Sequence, residues 1–251
     1  IFIVLTNPLD TMAYLAMKMT NLPRNRVIGQ AGILDSARMR AFVALETGVS
    51  VENINCYVLG GHGDEMVPLT RHSNIAGIPL RDYIPADKLD AIVARTRKGG
   101  GEIVNLMGTS AYYAPASSAV AMAKAYLRDE KRLLACAAYL EGEYGYKDMF
   151  MGVPCVIGGK GIERIIEIPL TEDEKAMLAK SAKKGAKLIL QIVRILLVFG
   201  LFRGWSTGFQ DRRLQPLGHL SGDGRIAAGD MATRARAATP DLLATDAWVR
   251  P

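Results

Sequence analysis

Short apolar runs alternate with longer amphipathic stretches along this chain, a pattern typical of strands alternating with helices. The first run, Ile1–Leu5, is continuously apolar and predicts a fully buried parallel strand. Good helix formers predict a helix over Asp10–Met19. A short strand at Arg26–Gly29 then leads into a helix that runs to about Thr47. The order of elements predicts an α/β fold.

The middle of the chain is broken by glycine and proline. Two short strand-like pieces, Met66–Leu69 and Ala76–Leu80, predict an antiparallel ribbon. A helix is predicted over Ala86–Lys98. The triple glycine Gly99–Gly101 then predicts a loop or a helix break, and Glu102–Leu106 resumes the helical pattern.

The third quarter of the chain has the clearest local signals. An alanine-rich segment over Ser117–Asp129 predicts a buried helix, and Arg132–Leu140 predicts a strand. Val153–Ile157 and Ile162–Ile168 flank a glycine turn and predict a hairpin. The residues Thr171–Glu174 have the spacing of a capping box, which predicts the start of a further helix.

The amino-acid composition changes after Lys187, which is the last lysine of the chain. Residues 188–202 are apolar except for Gln191 and Arg194, and the remaining residues show little periodicity. The run is shorter than the ~20 residues that span a bilayer, and it lacks the charged face of an interfacial helix. We interpret residues 188–251 as an atypical tail, frame-shifted, read through or disordered. We therefore predict no membrane partner.

Composition and charge narrow the functional classes. The chain has 251 residues, of which 49% are hydrophobic, enough for a sizeable core. Its net charge of +6 is divided evenly between residues 1–190 and the tail. No basic stripe is interleaved with aromatic residues, so we predict no nucleic-acid partner.

Cysteine and histidine usage argues against disulfides and metal ions. The three cysteines, Cys56, Cys136 and Cys155, all lie in apolar surroundings, which favours reduced thiols and a cytoplasmic protein. The amino terminus lacks the basic start of a signal peptide. The three histidines are far apart in sequence, so we predict no metal site.

The segment Val58–Asp64 is the first candidate for chemistry. An apolar run predicts a strand over Cys56–Leu59, and it is followed by two glycines, His62 and another glycine. Glycines leave little bulk around the imidazole, so His62 is predicted at the end of a strand and open to a cleft. Histidine exchanges protons near neutral pH, with an ordinary pKa of about 6.5. The alternative is a tight turn with a surface histidine.

A second candidate pair is Asp35 and Arg38, three residues apart on the predicted second helix. At that spacing they share one face. Asp35 can hold one imidazole nitrogen of His62 and raise its pKa, and the planar fork of Arg38 suits a carboxylate. The alternative is a surface ion pair worth ~0–1 kcal/mol.

Four motifs together resemble the lactate/malate dehydrogenase family, and the chain is most similar to its bacterial malate dehydrogenases. They come in the family's order and spacing, and the resemblance covers residues 1 to about 187. The motifs are Thr6-Asn-Pro-Leu-Asp10, Leu34-Asp-Ser-Ala-Arg38, Gly60-Gly-His-Gly-Asp64 and Ser110-Ala-Tyr-Tyr-Ala-Pro115.

The resemblance implies a role for each candidate residue in reversible hydride transfer between NAD and a small 2-hydroxy acid. His62 would be the general acid and base, and Asp35 would orient it. Arg38 would bind the substrate carboxylate. The family's pattern further implies Asn7 beside both substrate and nicotinamide, Ser110 on the substrate side, and Ala114 and His62 on the nicotinamide side. Ordinary turn and helix-start chemistry explains Asn7, Ser110 and Ala114 equally well.

The resemblance also implies the domain organisation and the partners. Residues 1–30 would be a remnant of a doubly wound dinucleotide-binding sheet, and residues 31–187 the α+β catalytic and substrate domain. About a hundred or more residues of the dinucleotide-binding half would lie upstream. The substrate would be a small dicarboxylic 2-hydroxy or 2-oxo acid, and the chain would form a homo-oligomer.

Three alternatives stay open at this stage. The chain could be a catalytically inactive fragment that only oligomerises, through helices such as the one over Ala37–Leu45. It could act on another 2-hydroxy acid such as lactate, because the residues that distinguish malate from lactate would lie upstream. The weakest alternative assigns the tail to membrane or nucleic-acid binding. We expect little or no turnover from the 251-residue chain by itself.

Overall fold

A computed structural model describes residues 1–198, and the remainder of the tail lies outside the described residues. Residues 1–198 form six helices and ten strands. The helices are α1 (Leu9–Thr20), α2 (Gly32–Thr47), α3 (Leu80–Tyr83), α4 (Ala86–Met107), α5 (Tyr113–Leu127) and α6 (Glu172–Val198). The strands are β1 (Phe2–Val4), β2 (Val27–Gly29), β3 (Ile54–Asn55), β4 (Val58–Leu59), β5 (Val67–Pro68), β6 (Asn74–Ile75), β7 (Ile78–Pro79), β8 (Arg132–Glu141), β9 (Lys147–Gly158) and β10 (Gly161–Ile165).

The main sheet has the order β1-β2-β8-β9-β10. Strands β1 and β2 are parallel, whereas β8, β9 and β10 form an antiparallel meander joined to β2 at Gly29 and Ala137. Gly29 allows this close approach, because a Cβ there would lie 2.8 Å from the Cβ of Ala137. The mixed α/β fold agrees with the predicted class.

The predicted boundary at residue 30 falls inside one compact unit, and the domain division stays a prediction. Residues 1–189 form one compact unit, and within it the strands of residues 1–30 share a sheet with β8, β9 and β10. The predicted tail begins inside α6, which continues without a break to Val198.

Strand β1 is more exposed than its apolar sequence predicts. Phe2 and Leu5 keep 48% and 42% of their surface exposed, while Val4 is buried. Among the described residues β1 pairs only with β2, so it is the edge of the sheet. The prediction of a fully buried strand is therefore wrong for this edge.

The two proline-containing pieces form strands but not a common ribbon. β5 pairs with β4, which precedes the His62 turn, and β7 pairs with β6 in a separate three-stranded sheet with β3. Each piece pairs with a strand that comes shortly before it in the chain, rather than with the other piece. The predicted pairing between them is therefore wrong.

The triple glycine does not interrupt its helix. The 22-residue helix α4 includes Gly99–Gly101 without a break. It is capped by Gly108, which adopts the left-handed conformation with φ 70°. Gly99 packs against α2, close to the side chains of Arg38 and Phe42. Tertiary packing therefore outweighs the low helix propensity of glycine, and the predicted break is wrong.

The predicted burial of α5 is only partly correct. Ser118, Met122 and Ala125 are buried against the body. Val120 and Leu127 are 65% and 77% exposed on the other face. Alanine-rich sequence predicts the helix correctly but does not show which face is covered.

Local signals at helix ends are confirmed. The Thr171 backbone N–H donates to Glu174 Oε2 at 2.8 Å, and the Glu174 N–H donates to Thr171 Oγ1 at 3.3 Å, which is a complete capping box. Gly48 ends α2 in the left-handed conformation. Within residues 1–198, no helix combines the length and apolarity needed to cross a membrane.

Candidate active site

His62 lies in a glycine-rich turn after β4. Gly60 and Gly63 have φ values of 79° and 124°, which side chains with a Cβ rarely adopt. The Gly60 N–H donates to the carbonyl of Gly152 on β9 at 2.8 Å, and a Cβ on Gly152 would collide with the Gly60 carbonyl. The turn is thus anchored closely to the main sheet.

The start of α2 is fixed against β4, and this contact brings Asp35 to His62. A Cβ on Gly32 would collide with the carbonyl oxygen of Val58, so only glycine fits there. The Val58 N–H donates to Ser36 Oγ at 3.0 Å. Asp35, between these two contacts, faces the turn that follows the strand.

Asp35 joins His62 to Arg38. His62 Nδ1 lies 2.8 Å from Asp35 Oδ2, and Arg38 Nη1 donates to Asp35 Oδ1 at 3.3 Å. The side chain of Asp35 is 2% exposed, that of Arg38 11% and that of His62 21%. An ionised carboxylate only accepts hydrogen bonds, so His62 Nδ1 carries the hydrogen of this contact. Nε2 is left to exchange a proton.

The surroundings of His62 favour its charged form. The hydrogen bond to Asp35 is the largest effect and raises the pKa of His62. Burial and the charge of Arg38 oppose it, while the charges of Asp35 and Asp10 add to it. The imidazolium therefore persists to higher pH than in a free histidine.

A cavity of about 870 Å³ opens beside these residues. Arg38, His62 and Asp64 form one wall, and α4 forms the other with Arg95, Arg97 and Lys98 among its lining residues. The volume is within the range of small-molecule sites. The cavity combines a proton-exchanging imidazole with a wall rich in cations.

The glycines of α4 make room for Arg38. A Cβ on Gly99 would lie 3.4 Å from Arg38 Cδ, and one on Gly100 would lie 3.7 Å from Nη1. Arg38 Nε is buried and has no hydrogen-bond partner among the described residues. Nearby, Arg95 stacks over the Phe42 ring at 4.3 Å and forms an ion pair with Glu102.

The other predicted site residues, Asn7, Ser110 and Ala114, lie in three separate segments outside the large cavity. Asn7 follows the carboxyl end of β1, and Ala114 is in the first turn of α5. Gln30, which follows β2, donates to the carbonyl of Pro115 at 2.6 Å and so ties the start of α5 to the end of β2. Ser110 lies in the exposed link between α4 and α5. None of Asn7, Ser110 and Ala114 lines the large cavity.

Asp10 was not predicted as a site residue, yet its carboxyl group lies next to the His62 turn. A Cβ on Gly61 would lie 3.0 Å from Asp10 Oδ2. Burial raises the pKa of Asp10 to about 7, while the charge of His62 lowers it. Asp10 ends the first of the four motifs, but no role was assigned to it, because a carboxylate in the first turn of a helix is already explained by the helix dipole.

Metal-binding side chains do not cluster in the described part of the chain. No group of three or more His, Cys, Asp or Glu side chains there is arranged to hold a metal ion. The three cysteines are buried, unpaired thiols.

The family model of the lactate/malate dehydrogenase alpha/beta C-terminal domain matches residues 33–194. A malate dehydrogenase of Sorangium cellulosum is 64% identical over 181 residues, which are 72% of this chain and 58% of that protein. The chain spans 58–62% of the length of the curated relatives it matches.

Solved structures give the same result. The malate dehydrogenase of Salinibacter ruber superposes with a TM-score of 0.77 at 48% identity, covering 79% of this chain and 65% of that one. The lactate dehydrogenase of Eimeria maxima with NADH and oxamate has a TM-score of 0.73 at 40% identity, covering 80% and 63%. Because the family model matches more than half of this chain, the chain belongs to the lactate/malate dehydrogenase family.

Proposed function

We propose that the chain provides the proton-transfer and carboxylate-binding part of an NAD-dependent malate dehydrogenase, which interconverts malate and oxaloacetate. The observation that carries this proposal is the hydrogen-bonded series Arg38–Asp35–His62 beside the 870 Å³ cavity. Curated relatives 57–64% identical are named malate dehydrogenase. Among solved structures, four named malate dehydrogenase are 44–48% identical and two named lactate dehydrogenase are 40–41% identical. This difference favours malate over lactate as the substrate.

His62 performs the proton step. When malate is oxidised, Nε2 takes the proton of the C2 hydroxyl as the hydride leaves C2, and the C–O bond becomes a carbonyl. The resulting imidazolium is stabilised by Asp35 through Nδ1. In the reverse direction the imidazolium returns this proton to the C2 carbonyl oxygen of oxaloacetate as C2 receives the hydride.

Arg38 binds the carboxylate next to the reacting carbon. Its Nη1 is oriented by Asp35 on one side, and its Nε has no partner among the described residues. A guanidinium fixes both the distance and the angle of a carboxylate through two parallel hydrogen bonds. We expect this fork to hold C2 in line for transfer.

The residues fit the nicotinamide end of NAD. Asn7 directly follows β1, and His62 lines the smaller cavity together with Pro8 and Leu9. The start of α5, which contains Ala114, is tied to the end of β2 by the hydrogen bond from Gln30 to Pro115. Open α/β sheets bind ligands at the carboxyl ends of their parallel strands. The bound nicotinamide supplies the hydride acceptor in malate oxidation. We propose that Asn7 and Ala114 contact this ring. We propose that Ser110, directly after the cavity helix α4, contacts the substrate.

We further propose that the protein acts as a homo-oligomer in the cytoplasm on a small dicarboxylic 2-hydroxy or 2-oxo acid. Three buried, unpaired thiols support a reducing compartment. Large apolar side chains exposed on helices, such as Leu45 at 74%, support subunit contacts.

The proposed function is tested by replacing Arg38 with lysine in the full-length protein. One ammonium cannot replace a planar fork, so kcat/KM for oxaloacetate should fall at least about 100-fold. Arg40→Lys, on the same helix but absent from the lining of the cavity, is the matched control and should change kcat/KM little. Rates near wild type for Arg38→Lys would show that this carboxylate site is assigned wrongly.

A further inference from the structure

His62 also borders a second, smaller cavity on the side of α1 and α6. Its volume is about 60 Å³. This is enough for one or two water molecules, which occupy ~30 Å³ each in the liquid. The polar and charged side chains that line it are Asp10, Thr11, His62, Glu65, Ser181 and Lys184.

Two polar side chains in this cavity, the Asp10 carboxyl and the Thr11 hydroxyl, have a buried oxygen without a hydrogen-bond partner among the described residues, and of the two only Asp10 can carry a charge. Oδ1 is inaccessible to solvent and has no hydrogen-bond partner among the described residues. The neighbouring Gly61 N–H already donates to Ser181 Oγ at 2.7 Å. A buried polar oxygen without a partner is costly, so a role in binding or charge compensation is expected at such a position.

We propose that Asp10 is a second positioning carboxylate for His62, which acts across the small cavity and favours the charged imidazole. The inference rests on the proposed function, because it assigns Asp10 to the same proton step. Asp35 holds Nδ1 by a direct hydrogen bond and fixes the orientation of the ring. Asp10 acts through its charge and through water in the cavity, without a direct bond to the ring.

The other charged groups around His62 do not duplicate this effect. Glu65 is paired with Lys180 at 3.1 Å. Lys184 lines the cavity and forms no ion pair with Asp10 in the described part of the chain. Arg38 disfavours the charged imidazole, and Asp35 lies between them. Within residues 1–198, Asp10 is therefore the one carboxylate besides Asp35 whose charge raises the pKa of His62.

The effect of Asp10 on the protonation of His62 depends on pH, because Asp10 itself gains and loses a proton. Burial raises the pKa of Asp10 to about 7. Below that pH Asp10 is neutral and adds little, and above it the ionised carboxylate favours the imidazolium. The two groups therefore titrate as a coupled pair, and the loss of the His62 proton is extended to higher pH.

The direct test is the titration of His62 by NMR in the purified protein without substrate. The sequence contains three histidines, so the imidazole signals can be assigned by single substitutions. In Asp10→Asn the midpoint of His62 should fall by about half a pKa unit, since one nearby negative charge is lost. Glu65→Gln removes a carboxylate from the same cavity and should leave the midpoint unchanged. An unchanged midpoint in Asp10→Asn, or an equal fall in Glu65→Gln, overturns the inference.

A measurement on the wild-type protein covers the case in which Asp10→Asn does not fold. Carboxyl ¹³C signals should include one side chain that titrates near pH 7 and whose curve shares a step with His62. If every aspartate and glutamate titrates below about pH 5, Asp10 has no raised pKa and the inference is wrong. Neither titration requires NAD or turnover. Their failure therefore leaves the proposed function to be judged by kinetics.

Discussion

Asp35 contacts both functional partners of the site with separate oxygens. Oδ2 accepts from His62, and Oδ1 accepts from Arg38. Its burial on α2 strengthens both contacts, because charge-assisted bonds are stronger away from water. One carboxylate thus sets both the orientation of the imidazole and the position of the guanidinium.

Replacing Asp35 with asparagine should therefore affect kinetics and titration together. The amide keeps the shape but loses the charge that stabilises the imidazolium, so we expect kcat to fall on the order of 10²–10⁴-fold. The pKa of His62 should fall as well. Steady-state kinetics and histidine NMR measure the two effects. Asp90→Asn, which changes an exposed carboxylate of α4 outside the cavity lining, is the control and should alter neither strongly.

The raised pKa of His62 predicts opposite pH profiles for the two directions of the reaction. Oxaloacetate reduction needs the imidazolium, so its kcat/KM should be constant at low pH and fall as pH rises through the raised pKa. Malate oxidation needs neutral imidazole, so its kcat/KM should rise over the same interval. Initial rates from about pH 5 to about pH 10 test this. Profiles for the two directions that do not mirror each other would contradict the role of His62 as acid and base.

At the scale of elements, the contact between α2 and α4 gives Arg38 its place. Gly99 is buried there, and no side chain separates the α4 backbone from Arg38 and Phe42. Gly101 lies two residues further along, where a Cβ would have no neighbouring atom within 4 Å among the described residues. Gly99 therefore makes room for Arg38, whereas Gly101 on the same helix faces open space.

We expect Gly99→Val to displace Arg38. The branched side chain would extend beyond a Cβ already 3.4 Å from Arg38 Cδ, and misplacement by ~1 Å can cost about 100-fold in rate. Gly101→Ala is the matched control: Gly101 also lines the large cavity, but a Cβ there meets no atom within 4 Å among the described residues, so the variant should stabilise the protein by about 0.5–1 kcal/mol with little change in kcat/KM. Thermal unfolding and kinetics measure both. Equal kinetics for the two variants would contradict a positioning role for Gly99.

The elements that sequence predicted correctly have local causes. The capping box at Thr171 and the β9–β10 hairpin depend on residues within a few positions of each other. The continuity of α4 through Gly99, the partners of β5 and β7, and the exposure of Phe2 depend on how separate elements pack together. Local pattern carries no information on such packing.

The same distinction applies to the site. His62, Asp35 and Arg38 were identifiable because their motifs are compact and come in a family-specific order. Asp10 was missed because its burial and its proximity to His62 depend on α6, whose Ser181 lies far along the chain. Asp10 ends the first of the four motifs, but an acidic residue at the start of a helix has an ordinary explanation, and only the fold shows that its carboxyl group lies beside His62.

At the scale of the whole molecule, exposed apolar side chains predict self-association. Leu45 on α2 is 74% exposed, and Tyr113, Val120 and Leu127 lie on one face of α5 at seven-residue spacing. Apolar patches of this kind mark interaction surfaces. Light scattering of the purified protein should give at least the mass of a dimer. Leu45→Glu should lower that mass, and a strictly monomeric wild type would contradict the prediction.

Our main prediction is that His62 carries the proton in NAD-dependent interconversion of malate and oxaloacetate. Its most direct test is oxaloacetate-dependent oxidation of NADH by the full-length protein and its His62→Asn variant, measured side by side with folding verified by circular dichroism. We predict turnover for the wild type and a loss of at least about 10³-fold in kcat for the variant. Equal rates for the two proteins, or a folded wild type that binds NADH but does not reduce oxaloacetate, would contradict the account.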